Sequence, residues 1–530
     1  MKKFKFLTMA LAAIMLTVFV GCNKDDAGDA DGQTESVVES YLSLGITMDK
    51  NATKDAEDSN TPQAGTAAEN NVTSVTLYFF DNTTDRFITS VLFSSPDLNP
   101  LTGTPTNTVA TTKVKGVSLT KGSTYKVCVI VNGTAGTAPT PGVTGTLLNT
   151  FIAGDLLSNN NFLLSAPATG IVMASRTKNT TIAGTDVSTP WVNITFALTN
   201  SELDPAILEI DVERTLAKMD ITSGAANNKY YITDTGVAST GSTDTDNIAT
   251  IEVQGYAVVN TVKSGFTFRH TANLANVNAP APTYFYGNIV TAHSDYLMDP
   301  QTHLKLITPA SYMSTNAATI AGWYNDYVTG TPTFVSMPAS GEQTIGYCNE
   351  NAMEKDAQKN GYSTGLIFKA QITPTDNAWE DNSGANVAWV PTTGDDLYFF
   401  GGHFYKDEVA LANADVLGTI PAFPTTSNPT DEAAWRANLK NYGADYLKNG
   451  YCYYKYWIKH EDNGNSDVMG IMEFSIARNN VYKMEITGIM TVGSGSVDID
   501  PEEDNETDKA FMRVNMNIRP WVVRANNIVL

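Results

Sequence analysis

Apolar and polar residues alternate through Tyr41 to Met48, with Leu42, Leu44, Ile46 and Met48 separated by Ser43, Gly45 and Thr47. A period of two places the four apolar side chains on one face of an extended chain, so this segment reads as a half-buried strand. Further strand patterns fall at Val75 to Phe80, Phe87 to Phe93 and Tyr125 to Val131. The last is nearly continuous in apolar residues, as in a strand covered on both faces. Ile207 to Ile221 reads as the opening of a second unit, which continues through Ile251 to Val259, Thr283 to Ile289, Gly365 to Ile372, Leu397 to Tyr405, Tyr451 to Lys459 and Val481 to Met490. One helix stands out, with Thr430 placed to cap it, Asp431 and Glu432 in its first turn and Ala433 to Leu439 as helix formers. Near the C-terminus the alternation returns: Met512, Val514, Met516 and Ile518 are separated by Arg513, Asn515 and Asn517. Both ends of the chain therefore carry the same pattern.

Between these elements the chain is polar. Asp49 to Asn70 holds Lys50, Lys54, Pro62 and Gly65 and reads as an exposed loop open to proteolysis. Gly493 to Lys509, rich in glycine and acid, reads as a solvated linker before the C-terminal arm. A chain of 530 residues exceeds one compact core, and at roughly 100–200 residues per domain two folded units are expected. Only 17% of residues are charged, and short apolar runs punctuated by turn residues favour β-sandwiches with few short helices, a mainly β class. The formal charge of −22 repels a nucleic-acid backbone, and no basic patch offsets it.

Lys2, Lys3 and Lys5 precede an apolar stretch from Phe6 to Val20, too short and too early for a stable membrane span. It reads as an export signal. It ends in Phe19-Val20-Gly21-Cys22, which resembles a bacterial lipobox, so Cys22 is the expected site of lipid attachment. Acyl chains contribute roughly 0.8 kcal/mol per buried CH₂, enough in a triacylated cysteine to hold the chain to a membrane. The acidic stretch Asp25 to Glu39 then acts as a tether.

The sequence lacks a Gly-x-Ser-x-Gly elbow, a His-Glu-x-x-His pair, a phosphate-binding glycine loop and a Cys-x-x-Cys pair. Its five histidines, His270, His293, His303, His403 and His460, are scattered without metal-ligand spacing. The acidic run Asp498 to Asp504 has Pro501 where a calcium loop needs a flexible ligand. No enzyme, cofactor or metal is therefore expected. Beyond Cys22, the cysteines Cys128, Cys348 and Cys452 are odd in number and cannot form a complete disulfide framework. Cys128 lies within a buried strand pattern and reads as a small hydrophobe. Tyr451, Tyr453, Tyr454, Tyr456 and Trp457 can stack on sugars or fill a sandwich core.

Taken together, several segments resemble the type V pilus fimbrillins of Bacteroidales. They are the lipobox at Cys22, Tyr41 to Met48, Val75 to Phe80, Tyr125 to Asn132, Arg214 to Ile221, Tyr347-Cys348-Asn349-Glu350-Asn351, Gly450 to Trp457 and Arg478-Asn479-Asn480-Val481-Tyr482-Lys483. The last is the sharpest. The resemblance implies two transthyretin-like β-sandwich domains with Greek-key character, and delivery to the outer membrane as a lipoprotein. It also implies removal of an N-terminal segment by a processing protease. Carried onto this chain, the expected divisions are a signal peptide (1–21), a propeptide with a removable first strand (22–54), two sandwich domains (55–206 and 207–492) and a linker with a donor-strand arm (493–530).

The cut is expected at Lys54, with Lys50 as the alternative, releasing the strand of Leu42, Leu44, Ile46 and Met48. The arm of Met512, Val514, Met516 and Ile518, expected to be solvated until it meets a neighbour, would fill the vacated groove of another subunit. Self-polymerisation into a surface fimbrium supporting adhesion follows, with a host receptor or glycan as a further partner. The alternatives are a monomeric surface glycan-binding lipoprotein and a tip or anchor subunit of the same fimbria.

Overall fold

The computed structural model describes residues 39–48, 63–94, most of 98–506 and 512–522; the longest intervening gaps are 99–107, 274–294, 306–314 and 414–428. Cys22, Lys50, Lys54 and the strand expected at Thr283 to Ile289 lie outside the described residues.

The first half of the chain contributes β1 (Glu39–Met48), β2 (Gln63–Ala64), β3 (Ser74–Asp81), β4 (Phe87–Ser94), β5 (Thr108–Ala110), β6 (Lys115–Ser118), β7 (Thr124–Val131), β8 (Met173–Ser175), β9 (Val192–Thr195) and β10 (Ala206–Arg214). All but β2 join one sheet, in the order β4-β3-β7-β8-β10-β1-β5, with β9 on β7 and β6 on β1. One face of the sheet carries an apolar core in which Leu42, Leu44 and Ile46 pack with Leu77, Phe79, Val127 and Val129, and with Leu208 and Ile210. Val127 to Val131 is buried without a break, because neighbouring strands flank β7 and further apolar side chains cover its second face. Cys128 is one of them, and burial pushes its thiol well up. Asn132 ends the strand in the left-handed region, where a short amide side chain is tolerated, and its Nδ2 donates to Asn71 O and Ile171 O.

The second half contributes β11 (Ala217–Ser223), β12 (Lys229–Thr233), β13 (Asn247–Val259), β14 (Glu342–Cys348), β15 (Gly365–Pro374), β16 (Tyr451–Trp457), β17 (Asn480–Ile489) and β18 (Met512–Val522). They form two sheets, one ordered β2-β18-β17-β11-β14 and one containing β12-β13-β15-β16. Met219, Ile221, Met484 and Ile486 of the first meet Ile251, Val253, Phe368 and Tyr454 of the second in one core. This is a β-sandwich, and the fold as a whole is mainly β, as the alternation predicts.

Several expectations change in detail. Ile207 to Ile221 is two strands in two sheets, separated by a bend at Thr215 and Leu216, so the chain changes sheets later than residue 207. Leu397 to Tyr405 is a hairpin, because Gly401 and Gly402 both take positive φ (58° and 83°), which a tight strand-to-strand turn requires. The helix runs Pro429–Asn441, so Thr430 lies inside its first turn and does not cap it; proline, with its preset φ, suits that opening position.

The acidic segment after Gly493 is not a solvated linker. Tyr453 and Ser494 exchange backbone hydrogen bonds, Asn505 is buried, and Val497 and Ile499 pack on an apolar cluster around Tyr324 and Trp457. Its acids face lysines distant in sequence: Asp504 meets Lys359, Glu503 meets Lys455 and Glu506 meets Lys459.

Candidate functional site

The two places expected to act in assembly are the strand Leu42 to Met48 and the C-terminal arm. β1 is held along both edges. On one side it runs parallel to β10, from Leu42 opposite Ala206 to Met48 opposite Val212. On the other it is antiparallel to β6 near its start and to β5 near its end. Leu42, Leu44 and Ile46 are each at most 1% exposed. Ser40 donates to Leu119 O at 2.9 Å, and Asn200 receives Tyr41 N (2.6 Å) while donating to Tyr41 O (2.9 Å). A strand so placed fills a slot between β10 and β5/β6.

The arm does not behave as expected. β18 lies antiparallel to β17, with Met512 opposite Ile489, Val514 opposite Ile486, Met516 opposite Met484 and Ile518 opposite Tyr482. Met512 is buried, and Val514 and Met516 pack against the subunit's own second core. Alternation reveals that one face of this strand is apolar, but not which sheet receives it. The solvated arm is therefore corrected to a strand already paired within its own subunit.

Nor is Asp49 to Asn70 exposed throughout. At its end Glu69 and Asn70 are buried between the two cores. Thr66 and Glu69 form a reciprocal cap: Thr66 N donates to Glu69 Oε2 (2.7 Å) and Glu69 N donates to Thr66 Oγ1 (3.3 Å). The other carboxylate oxygen of Glu69 accepts from Tyr347 OH at 2.5 Å and faces Lys218 Nζ at 3.0 Å. Arg214 Nη2 donates to Asn70 Oδ1 at 2.6 Å. Burial pushes the Glu69 carboxyl up, but the bonds from Tyr347, Thr66 and Lys218 outweigh it and hold the group below its ordinary value. Burial draws the Arg214 guanidinium down to about 9 against the pull of Glu69.

Beside this lies a second buried charge cluster. Arg269 grips Glu213 with two bonds (3.0 and 2.6 Å), and Arg176 adds a third at 3.1 Å. Arg478 pairs with Glu350 at 2.7 Å and donates to Thr267 O and Phe266 O. Asn479, in the left-handed region, receives Arg214 N and donates its own N–H to Leu216 O. Tyr482 OH receives Ala477 N and bonds His460 Nδ1. The segments Arg214 to Ile221, Tyr347 to Asn351 and Arg478 to Lys483 thus converge on one junction, and their polar residues serve architecture.

The remaining candidates do not gather into a chemical site. Among the described residues, no three His, Cys, Asp or Glu side chains are placed to hold a metal ion, and none of the described helices is long and apolar enough to cross a membrane. Cys128, Cys348 and Cys452 are free and buried. Cys452, Tyr454 and Trp457 face apolar cores, and Lys369 sits 3.8 Å over the ring of Tyr451.

Sequence comparison bears on the second sandwich. Residues 445–527, which include β16, β17 and β18, match the family described as “Major fimbrial subunit protein type IV, Fimbrillin, C-terminal”. This C-terminal segment is fimbrillin-like. Among solved structures the chain is similar to a fimbrilin (FimA) from Porphyromonas gingivalis, at 14% identity over 92% of this chain and 99% of that one, with a TM-score of 0.39. It is similar also to the tip fimbrial protein Mfa3 of the same organism with C-terminal truncation (11% identity, 91% and 100% covered, TM-score 0.34). A third similar structure is a fimbrial assembly protein from Parabacteroides distasonis (12%, 64% and 99%, TM-score 0.28). No curated protein matches the chain by sequence. The match covers the aromatic strand β16, the Arg478 segment and the arm, which contribute to both sheets of the second sandwich.

Proposed function

We propose that this fimbrillin-like chain is a structural subunit of a bacterial surface fimbria that polymerises by strand exchange. The observation that carries the reading is β1: a strand near the chain's N-terminal end, paired on both edges, buried on one face, and followed in sequence by Lys50 and Lys54. Export as a lipoprotein acylated at Cys22, followed by cleavage at Lys54 or Lys50 and loss of the propeptide 22–54, would leave a slot between β10 and β5/β6. Refilling the sockets of Leu42, Leu44 and Ile46 contributes roughly 1.5–3 kcal/mol each before ordering terms are subtracted. The unpaired edges on both sides of the slot accept a ladder as well.

The arm of Met512, Val514, Met516 and Ile518 is the proposed donor. To serve, it must leave β17, exchanging a ladder along one edge for a slot with two. Donor and acceptor lie at different places on the subunit, so the contact is heterologous and grows an open filament. The buried junction suits such a filament, because it fixes the two sandwiches against each other and transmits tension through ion pairs and a paired sheet.

The N-terminus of the mature surface protein tests this. A terminus within 51–62 in assembled material supports the reading; an acylated Cys22 in every surface copy would make the chain a monomeric lipoprotein or a basal anchor.

A further inference from the structure

Lys305 is the last residue of a short helix, Thr302–Lys305, and its side chain is 0% exposed. Its Nζ lies 2.6 Å from Oδ2 of Asp299, whose side chain is equally buried, and 2.7 Å from Oδ1 of Asn351, with Ala352 O at 3.3 Å. Asn351 is itself fully buried and stands 46 positions away in sequence. Because Cγ of Asn351 is only about 1.23 Å from Oδ1, Nζ is within about 4 Å of that carbonyl carbon, close to the separation from which a nucleophile attacks. The orientation of the amide is fixed by its neighbours. Nδ2 donates to Tyr362 O and to Thr364 Oγ1, each at 2.8 Å, which leaves the carbonyl side turned to the donor-only ammonium. Asp299 is held as firmly: Oδ1 accepts from Gln301 N (2.7 Å), Oδ2 accepts from Ala352 N (2.8 Å), and its own N–H donates to Thr302 Oγ1 (2.8 Å). The buried ring of Tyr324 stands 5.8 Å from Nζ. Burial draws the Lys305 ammonium below its ordinary value, against the pull of Asp299.

We propose that Lys305 and Asn351 join in an intramolecular isopeptide bond, formed by the folded chain itself with Asp299 as the base. Asp299 Oδ2 takes one proton from the ammonium and leaves a neutral amine, the form in which a desolvated lysine is nucleophilic. Nζ then attacks Cγ of Asn351, a bond forms between them, and the bond from Cγ to Nδ2 breaks. Of the three protons carried by the ammonium, one goes to Asp299, one departs with Nδ2 as ammonia and one stays on the new amide nitrogen. Nothing is oxidised or reduced, and no co-reactant is consumed. The product replaces a buried ion pair by a neutral amide, which is the cheaper group to keep away from water. It also ties the helix Thr302–Lys305 to the segment Tyr347 to Asn351, whose end is already laddered to Ile476 by reciprocal backbone hydrogen bonds. In a subunit under tension that tie holds where hydrogen bonds would yield. The proposal stands apart from strand exchange and requires neither cleavage nor a neighbour.

The test is the mass of the purified full-length protein after denaturation, followed by peptide mapping. The expected mass is lower than that of the same polypeptide unlinked by one ammonia, and the digest is expected to hold a branched peptide that joins the Lys305 and Asn351 segments. Lys305→Met and Asn351→Ala should each restore the full mass and abolish the branched peptide. Asp299→Ala should leave both partners in place and the chain unlinked. A parent protein of full mass, whose Lys305 and Asn351 segments appear in separate peptides, would overturn the bond and reduce the cluster to a static ion pair. A branched peptide that persists in Asp299→Ala would overturn the assignment of Asp299 as the base. The parent protein decides the bond by itself, so an unstable variant does not blunt the test. The mass is read on monomers: a full mass leaves strand exchange standing, and a linked protein that never polymerises upholds the bond while removing strand exchange.

Discussion

The hydroxyl of Tyr347 donates to Glu69 Oε1 at 2.5 Å across 278 positions of sequence. Glu69 belongs to the segment that follows the proposed cleavage site and Tyr347 to an edge strand of the second sandwich, so this bond ties that segment to the core that carries the arm. Lys218 Nζ, 3.0 Å from the same oxygen, compensates the buried charge.

Tyr347→Phe removes one donor from a buried carboxylate and is expected to destabilise the protein by about 1–3 kcal/mol. Glu69→Gln is expected to cost about as much, because it removes the nearer of the two carboxylates that face Lys218 and leaves only Asp220, at 3.7 Å. Denaturant unfolding of the two single variants and the double variant should show coupling, with the double variant less destabilised than the sum. Strict additivity would deny the bond.

Acid should open this junction. The folded Glu69 carboxyl titrates below its ordinary value of 4.5, so its contribution is fully present above that pH and is lost as pH falls through the folded value. The groups facing it are Lys218, Arg214 and Tyr347, with Asp220 beyond Lys218. Burial raises the Asp220 carboxyl, which gives that group the opposite pH trend above its ordinary range. Thermal melting from pH 6 down to about pH 3 should show a steeper fall in the parent protein than in Glu69→Gln.

Arg478→Ala should be the more severe change. It removes the guanidinium paired with Glu350, only 1% exposed, and releases two backbone carbonyls, Phe266 O and Thr267 O. Breaking a buried pair in this way is expected to cost about 3–5 kcal/mol. Arg478→Lys keeps the charge but cannot span the carboxylate and both carbonyls, so an intermediate loss is expected. Equilibrium unfolding of the purified variants measures both.

Val514→Asp places a carboxylate against the second core, opposite Ile486. Because β18 is paired within the subunit, the uncut monomer is expected to lose about 1–3 kcal/mol, and fibre formation by cut protein should fall as well. An unchanged melting temperature would mean that the arm leaves β17 in the free monomer.

Much of the sandwich architecture was legible in the sequence, because a strand with one buried face writes its period into the chain. The alternation at Leu42 to Ile46 and the unbroken apolar run at Val127 to Val131 appear in the structure as read. Pairing was less legible. Met512 to Ile518 shows the same period whether its receiving sheet is its own or a neighbour's, and Ile207 to Ile221 reads as one run although the bend at Thr215 and Leu216 passes it between sheets. The junction was hidden because its partners lie far apart: an acidic segment looks solvated until Lys359, Lys455 and Lys459 are found against it. One local signal was available. Thr66-Ala67-Ala68-Glu69 has the spacing of a reciprocal cap, and it marks the point where the loop stops being a loop.

The most direct test of strand exchange is to cut purified precursor with a Lys-specific protease, image the product by electron microscopy and identify by mass spectrometry what the fibres contain. The account predicts fibres whose subunits begin within 51–62 and from which the Glu39–Met48 strand has been lost. Fibres built from subunits that still hold that strand would contradict it, and so would cut subunits that shed the strand and stay monomeric.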